Sequence, residues 1–369
     1  MLNRSDENIT VPASSGFYAM GWFALAFTFP ILSVYLGYGY VVTGILGSII
    51  GLPFAIVSFL LRRSDLKRIL AVVRFCTIAM VPVTLVFAVL YGSLFFPLLI
   101  ISDFVTGTFW IGMEIYIGYA GMEGLAERYS SAWGIPNLIS PILAGFLLSY
   151  LGFSYLFVFS FMFFLIAALF IPAGNARQRD FSAGTLASPL MVLPLLFVGI
   201  SSGFLYYVIV PFLKLLSYRA YDIGIIVSIP PLVSAVTFIA MNRLKSSNWQ
   251  AYAIASSLLL SVPLFLAFSS SLEAIIILSS ISAVGSSIAF SKLLAYISAT
   301  SSPGTGVFYY EALFGTGFTV GSLLGGIGFG MIHFQIALWL FLPGILFAIV
   351  LSLALLLTRI RGQSRFSSG

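Results

Sequence analysis

Residues 97–124 read PLLIISDFVTGTFWIGMEIYIGYAGMEG, an apolar run that nevertheless holds Asp103 and Glu114. A helix that crosses a bilayer needs about 20 predominantly apolar residues, and an ionisable group inside one is costly and marks a functional position by default. The two acids lie eleven residues apart, which is three turns of an α-helix to within roughly 20°. Asp103, Trp110 and Glu114 therefore share one helical face, with Gly107 close to it. Such a stripe has to look into protein or water, not lipid. The run breaks at Glu123-Gly-Leu-Ala-Glu127-Arg128 and returns as a second span carrying Ser140-Pro-Ile-Leu-Ala-Gly145.

Composition extends this reading to the whole chain. Hydrophobic residues make up 60% of the sequence and charged residues 8%, with a mean hydropathy of +1.10. A soluble domain of 369 residues cannot hide that much apolar surface, so the sequence specifies an all-α membrane protein. Apolar runs recur along nearly the full length, which excludes a single anchor. They are continuous and do not alternate in ten-residue segments, which excludes a transmembrane β-barrel. The opening MLNRSDENITVPASSG has no signal-peptide pattern, and residues 1–15 are expected to form a cytoplasmic tail. The single cysteine, Cys76, forms no intrachain disulfide, and one histidine leaves no metal cluster. There is no nucleophile–base pair and no phosphate-cradling Gly-Lys-Ser/Thr loop, which argues against an ATP-driven pump or a membrane hydrolase. No enzyme activity and no cofactor are expected. The net charge of +6 reads as a topology signal and not as a sign of nucleic-acid binding.

Hydropathy divides the chain into about twelve helices, over residues 16–37, 40–61, 69–91, 95–121, 130–151, 153–173, 189–212, 221–241, 250–269, 273–297, 305–329 and 333–358. Arg4, Arg62, Arg63, Lys67, Arg68, Arg128, Arg177, Arg179, Arg243, Lys245, Arg359, Arg361 and Arg365 then fall on one side, and only Lys214 and Arg219 on the other. The positive-inside rule makes that side cytoplasmic, along with both termini, in a multi-pass protein of the plasma membrane. Residues 174–188 are the only long polar linker, dividing a bundle at 16–173 from a second at 189–358, with a tail at 359–369. The two halves match. At an offset of 180, Gly44, Ile45, Ser48, Ile49, Leu52, Ala55 and Arg63 meet Gly224, Ile225, Ser228, Ile229, Leu232, Ala235 and Arg243. At 181, Pro30 meets Pro211 and Ser140–Gly145 meets Gly321–Gly326. This is the parallel-repeat plan of many transporters.

Three segments carry a family resemblance. Leu61-Arg-Arg-Ser-Asp65-Leu-Lys67-Arg68 resembles the cytoplasmic signature of the major facilitator superfamily, without its leading glycine. Ala126-Glu127-Arg128 followed by Gly134 resembles that family's connection between helices four and five. Ser140-Pro141-Ile-Leu-Ala144-Gly145 resembles the Gly-Pro-x-x-Gly-Gly core of its drug–proton exporter branch, with Ser and Ala at two glycine positions. The fourth helix departs from the family, carrying Asp103 where an arginine is frequent. The resemblance implies two pseudo-symmetric six-helix bundles, a cavity lined by helices 1, 4, 7 and 10, and alternating access.

A carboxyl group in a dry site can carry a proton near neutral pH, so Glu114 and Asp103 are the expected proton-coupling residues. A permanent pairing of Glu114 with Arg74 is the structural alternative. Lys292 and Glu311 are expected at similar depth, at the cavity or as a fixed ion pair. Lys292 follows Glu114 by 178 residues, so it is also placed to meet Glu114 across the repeat axis as a gate. Tyr18, Trp22, Phe29, Trp110, Tyr206 and Tyr207 are candidates for the cavity wall. Asp65, Arg63, Arg68 and Arg128 form a candidate cytoplasmic latch. Pro141, Gly145, Gly321 and Gly325 are bend points or close-packing positions. Asn137 and Gln335 are nearly the only amides in the spans, which disfavours sugars, and Arg74 is the only candidate arginine for an anion. What remains suits a lipophilic, even cationic, compound. The leading expectation is proton-coupled efflux by a monomer in the lipid bilayer. Proton-coupled uptake of a small nutrient or organic acid is the alternative, and a lipid flippase is the alternative from another class.

Overall fold

The computed structural model describes residues 4–122, 124–172, 189–204, 207, 209–244, 248–262 and 271–331. Every regular element among them is helical: α1 (Arg4–Tyr35), α2 (Tyr40–Leu61), α3 (Leu66–Leu90), α4 (Phe95–Ala120), α5 (Leu125–Tyr150), α6 (Phe153–Leu169), α7 (Pro189–Val192), α8 (Pro194–Phe204), α9 (Val210–Leu215), α10 (Ala220–Arg243), α11 (Trp249–Leu260), α12 (Leu272–Ile288), a π-helical turn (Ala289–Leu293), α13 (Leu294–Thr300) and α14 (Pro303–Met331). Eight membrane-length spans, counting α12, the π turn and α13 as one, are long and apolar enough to cross a bilayer. The expected linker, the twelfth helix, His333, Gln335, Lys245 and the C-terminal tail lie outside the described residues.

Local chemistry fixes the helix ends. The carboxylate of Asp65 accepts the Arg68 amide at 2.8 Å and starts α3. Asn248 and Ser271 cap α11 and α12 in the same way. Gly152, at φ +92°, turns the chain between α5 and α6 in a conformation closed to most side chains.

Two expectations are corrected. Residues 4–15 are not a tail but the first turns of α1. Glu7 is buried against Tyr116 of α4, and the Ser14 hydroxyl donates to the Ala167 carbonyl. The expected seventh helix is divided at Leu193 into α7 and α8, with Pro189 and Pro194 opening the two pieces, and residues 207 and 209, before α9, are π-helical. Proline lacks the amide that would carry a helix across these points.

Packing repeats between the halves. α1 packs on α5, α2 on α4, and α3 on α4; α8 packs on α14, α10 on α12, and α11 on α12. The 180-residue offset relates each first-half pair to its second-half counterpart. Two further pairs, α2 with α14 and α5 with α10, join the halves, and the offset exchanges them.

These joins depend on missing side chains. A methyl at Gly44 of α2 would come within 2.6 Å of the Ser322 carbonyl oxygen and 2.7 Å of the Gly326 Cα on α14. Gly145 of α5 lies on the Ala220 backbone, and Gly224 of α10 on the Pro141 carbonyl. Between membrane helices such close approach supplies the packing that hydrophobic exclusion cannot. At the α2–α14 join, Ser48 donates to the Thr319 carbonyl at 3.0 Å and Thr319 returns a bond to the Ser48 carbonyl at 3.2 Å.

Gly44→Val should therefore cost about 1–3 kcal/mol by overpacking. It should lower the melting temperature in detergent by several degrees. Gly92→Ala is the control, because a Cβ there meets nothing within 4 Å. Equal melting of the two variants would show that the α2–α14 join is not tightly packed.

Candidate functional site

A cavity of about 160 Å³ lies between the halves. Helical spacing builds each wall. α1 contributes Trp22 and Phe23; α4 contributes Trp110 and Glu114, one turn apart; α5 contributes Tyr129, Trp133 and Asn137 at successive turns. From the second half come Ser202, Tyr207, Phe290, and Glu311, Phe314 and Phe318 on one face of α14. Aromatic rings dominate. Trp133 meets Phe290 edge-on at 5.3 Å between centroids, and Phe290 meets Phe314 at 5.3 Å, so rings from both halves interlock.

Two carboxyl groups stand in this setting. Glu114 and Glu311 are 5% and 3% exposed, and their carboxyls face each other across the interface between halves. The Tyr129 hydroxyl donates to Glu114 Oε1 at 3.4 Å. Glu114 Oε2 and Glu311 Oε2 accept no hydrogen bond from a described donor. The ring of Tyr310 is held beside them by its hydroxyl, which donates to the Phe290 carbonyl at 3.1 Å. Two adjacent carboxylates without a cation repel strongly, so the pair is stable only with a proton on one of them.

A second chamber of about 120 Å³ opens between α8, α10 and α12, and it shares Asn137 and Ser202 with the first. Ser201, Ser234, Ser279, Ser282 and Ser286 line it.

Of the expected cavity residues, Trp22, Trp110, Tyr207, Glu114 and Glu311 lie on the wall. Tyr206 lies outside the described residues. Tyr18 is fully buried behind the wall, stacked on Phe109 at 3.6 Å with its hydroxyl 3.1 Å from Thr106 Oγ1. Phe29 packs against Trp22, Phe87 and Phe95. Asp103 is 1% exposed, and neither carboxyl oxygen has a described hydrogen-bond partner. It is not part of the cavity wall.

Lys292 is placed differently from either expectation. Its Nζ lies 3.3 Å from Glu127 Oε1 at the start of α5 and donates to the Leu244 carbonyl at 2.8 Å, past the end of α10. Neither Glu114 nor Glu311 is its partner in this structure. The π-helical turn that contains Lys292 is the physical reason, because an inserted residue rotates the helix face by about 100° relative to an unbroken α-helix. Arg74 Nη2 reaches the Pro172 carbonyl at 3.4 Å, while Glu114 faces Tyr129 and Glu311.

Arg63, Asp65, Arg68 and Arg128 are exposed at the arginine-rich end. There Asp65 caps α3 and Arg128 Nε donates to the Gly124 carbonyl at 3.2 Å. Pro141 and Gly145 lie in the α5–α10 join, Gly321 lies on the Ile200 backbone of α8, and Gly325 is buried in α14.

Sequence reasoning missed Tyr129, Trp133 and the serine chamber. The four-residue spacing Tyr129–Trp133–Asn137 and the spacing Ser279–Ser282–Ser286 each mark one helical face and were available as signals.

No family model matches the sequence, and no curated protein matches it. Solved structures do. The crystal structure of the human organic anion transporter MFSD10 (TETRAN) superposes with a TM-score of 0.70 at 14% identity, covering 96% of this chain and 100% of that one. The nucleoside transporter NupG superposes with a TM-score of 0.63 at 14% identity, covering 95% and 98%. The chain shares the fold of these two structures. At this identity the likeness establishes the fold and leaves the exporter branch unsupported.

The Lys292–Glu127 contact ties the two halves at the arginine-rich end, with side chains 3% and 16% exposed. Lys292→Met and Glu127→Gln should each lower thermal stability. A double-mutant cycle should give a coupling of about 0.5–3 kcal/mol. Additive losses would show that the pair carries no energy.

Proposed function

We propose that this protein is a secondary transporter, built as two six-helix bundles, that moves a small organic solute by alternating access coupled to protons. The observation that carries the reading is the Glu114–Glu311 pair, one carboxyl from each half, facing each other beside an aromatic cavity. A proton on the pair holds the halves together at that point, and its loss drives them apart by like-charge repulsion in a medium of low dielectric. Protonation and conformation are thereby linked, which is what coupling requires. Asp103, buried on the same helix, is a second acid able to exchange a proton.

The direction we favour is uptake of a small nutrient or organic acid together with a proton. The described cavity wall holds no cationic side chain, so a neutral solute, or an organic acid that carries its own proton, enters beside the protonated pair without adding uncompensated charge. The two structural neighbours are described as carriers of organic anions and of nucleosides, which agrees with this class of cargo better than with efflux. Efflux of lipophilic cations is the second reading, favoured by the density of aromatic rings around the carboxyls.

Both termini are assigned to the cytoplasm of the plasma membrane, because Arg62, Arg63, Arg68, Arg128 and Arg243 lie at one end of the helices.

The test is transport in proteoliposomes under an imposed pH gradient. Glu114→Gln should abolish accumulation against a gradient while solute exchange persists, because the amide mimics only the protonated carboxyl. A Glu114→Gln protein that still concentrates its solute would remove Glu114 from the coupling mechanism.

A further inference from the structure

The serine-lined chamber has no role in the proton reading, yet it opens beside the carboxyl cavity through the shared residues Asn137 and Ser202. Its chemistry differs from that of its neighbour. Where the first cavity presents rings, this one presents hydroxyls from α8, α10 and α12.

Two features mark it as a binding site and not a packing defect. Ser279 is 3% exposed, and its hydroxyl lines the chamber without a described hydrogen-bond partner. Buried hydroxyls are nearly always paired, so an unpaired one beside a cavity marks a place where a ligand or water completes it. Second, α10 carries Pro230-Pro231 in mid-helix. Neither proline has an amide proton, so the carbonyls of Ile226 and Val227 lose their α-helical donors, and both residues border the chamber. The site therefore combines carbonyls that lack their α-helical donors with one uncommitted hydroxyl, and no charged residue lines it.

Volume separates the possible ligands. At about 30 Å³ per water, the chamber holds roughly four water-sized groups, room for the hydroxyl-bearing edge of a sugar and not for a whole one. A bare cation is best held by carboxylate oxygens, and no charged residue lines this chamber. A fragment bearing several hydroxyls fits: its protons go to the freed carbonyls and to the oxygens of Ser234 and Ser286, whose own protons are held by the Ala283 carbonyl, and one of its oxygens accepts from Ser279.

Resting on the transport reading above, we propose that the cargo is a two-part solute, a flat ring joined to a polyhydroxyl arm. The ring occupies the aromatic cavity beside Glu114 and Glu311, and the arm occupies the serine chamber. Small glycosides, N-linked or O-linked, have this shape. Amide side chains, whose scarcity argued against hydroxyl recognition, are replaced here by serine hydroxyls and freed backbone carbonyls.

The experiment measures binding to the purified full-length protein by thermal shift and calorimetry, with uridine, phenyl β-D-glucoside, uracil, phenol and ribose as probes. At least one of the two glycosides should bind more tightly than its ring or sugar alone, and whichever binds fixes the linkage. Ser279→Ala should weaken that glycoside roughly three- to tenfold, the loss of one hydrogen bond, and leave the bare ring's affinity unchanged. Ser279→Thr, which keeps the hydroxyl, should restore most of the affinity. Equal weakening of glycoside and ring, or no effect of Ser279→Ala, overturns the proposal. If neither glycoside binds while a solute without hydroxyls accumulates under a pH gradient, the two-part site is wrong and proton-coupled transport stands.

Discussion

Taking a carboxylate out of water costs several kcal/mol unless a cation or hydrogen-bond donors replace its hydration. Glu114 and Glu311 are buried side by side with one tyrosine hydroxyl between them and the surrounding protein. The cost is tolerable only if the pair holds a proton, and that condition ties the chemistry of the cavity to the position of the two halves. Glu114 belongs to α4 and Glu311 to α14, so any motion that parts the halves also parts the carboxyls. The rest of the structure holds this contact in place.

Two kinds of contact do that work. Along the joins, glycines and small residues let backbones touch: Gly44 and Gly51 of α2 against Ser322, Gly326 and Gly315 of α14, and Gly145 and Gly224 between α5 and α10. Such surfaces are smooth, and they let one helix shift against another without breaking side-chain interlocks. At the ends, contacts are few and specific. Toward the arginine-rich end α4 meets α13, Gly118 lies against Pro303, and Lys292 joins Glu127; toward the opposite end α1 meets α9. π-helical backbone also stands next to the chambers, at residues 207 and 209 before α9 and at the turn after α12. Irregular backbone in a membrane protein is tolerated where it is buried or lines a cavity.

The two chambers divide recognition between them. One presents aromatic faces with two acids; the other presents hydroxyls and proline-freed carbonyls. They join at Asn137 of α5 and Ser202 of α8, one residue from each half, so a solute spanning both would touch both halves at once. A ligand that contacts both halves is one whose binding can bias their relative position.

Much of this was legible in the sequence, for physical reasons. Apolar runs of membrane length fix helices, because every backbone polar group in lipid must be satisfied within its own segment. The 180-residue offset exposed the repeat, and the packing pairs follow it. Glu114 stood out because an acid in an apolar span is costly and rare. What the sequence left open depended on which faces meet. Glu311 looked like a partner for Lys292, since opposite charges at similar depth are expected to pair. The π-helical turn carries Lys292 to Glu127 instead and leaves Glu311 facing Glu114. Likewise the serines of α8, α10 and α12 are unremarkable one by one. Only the packing of three helices around Pro230-Pro231 gathers them into one chamber. Periodicity specifies a face, but the neighbour that the face receives is set by tertiary packing.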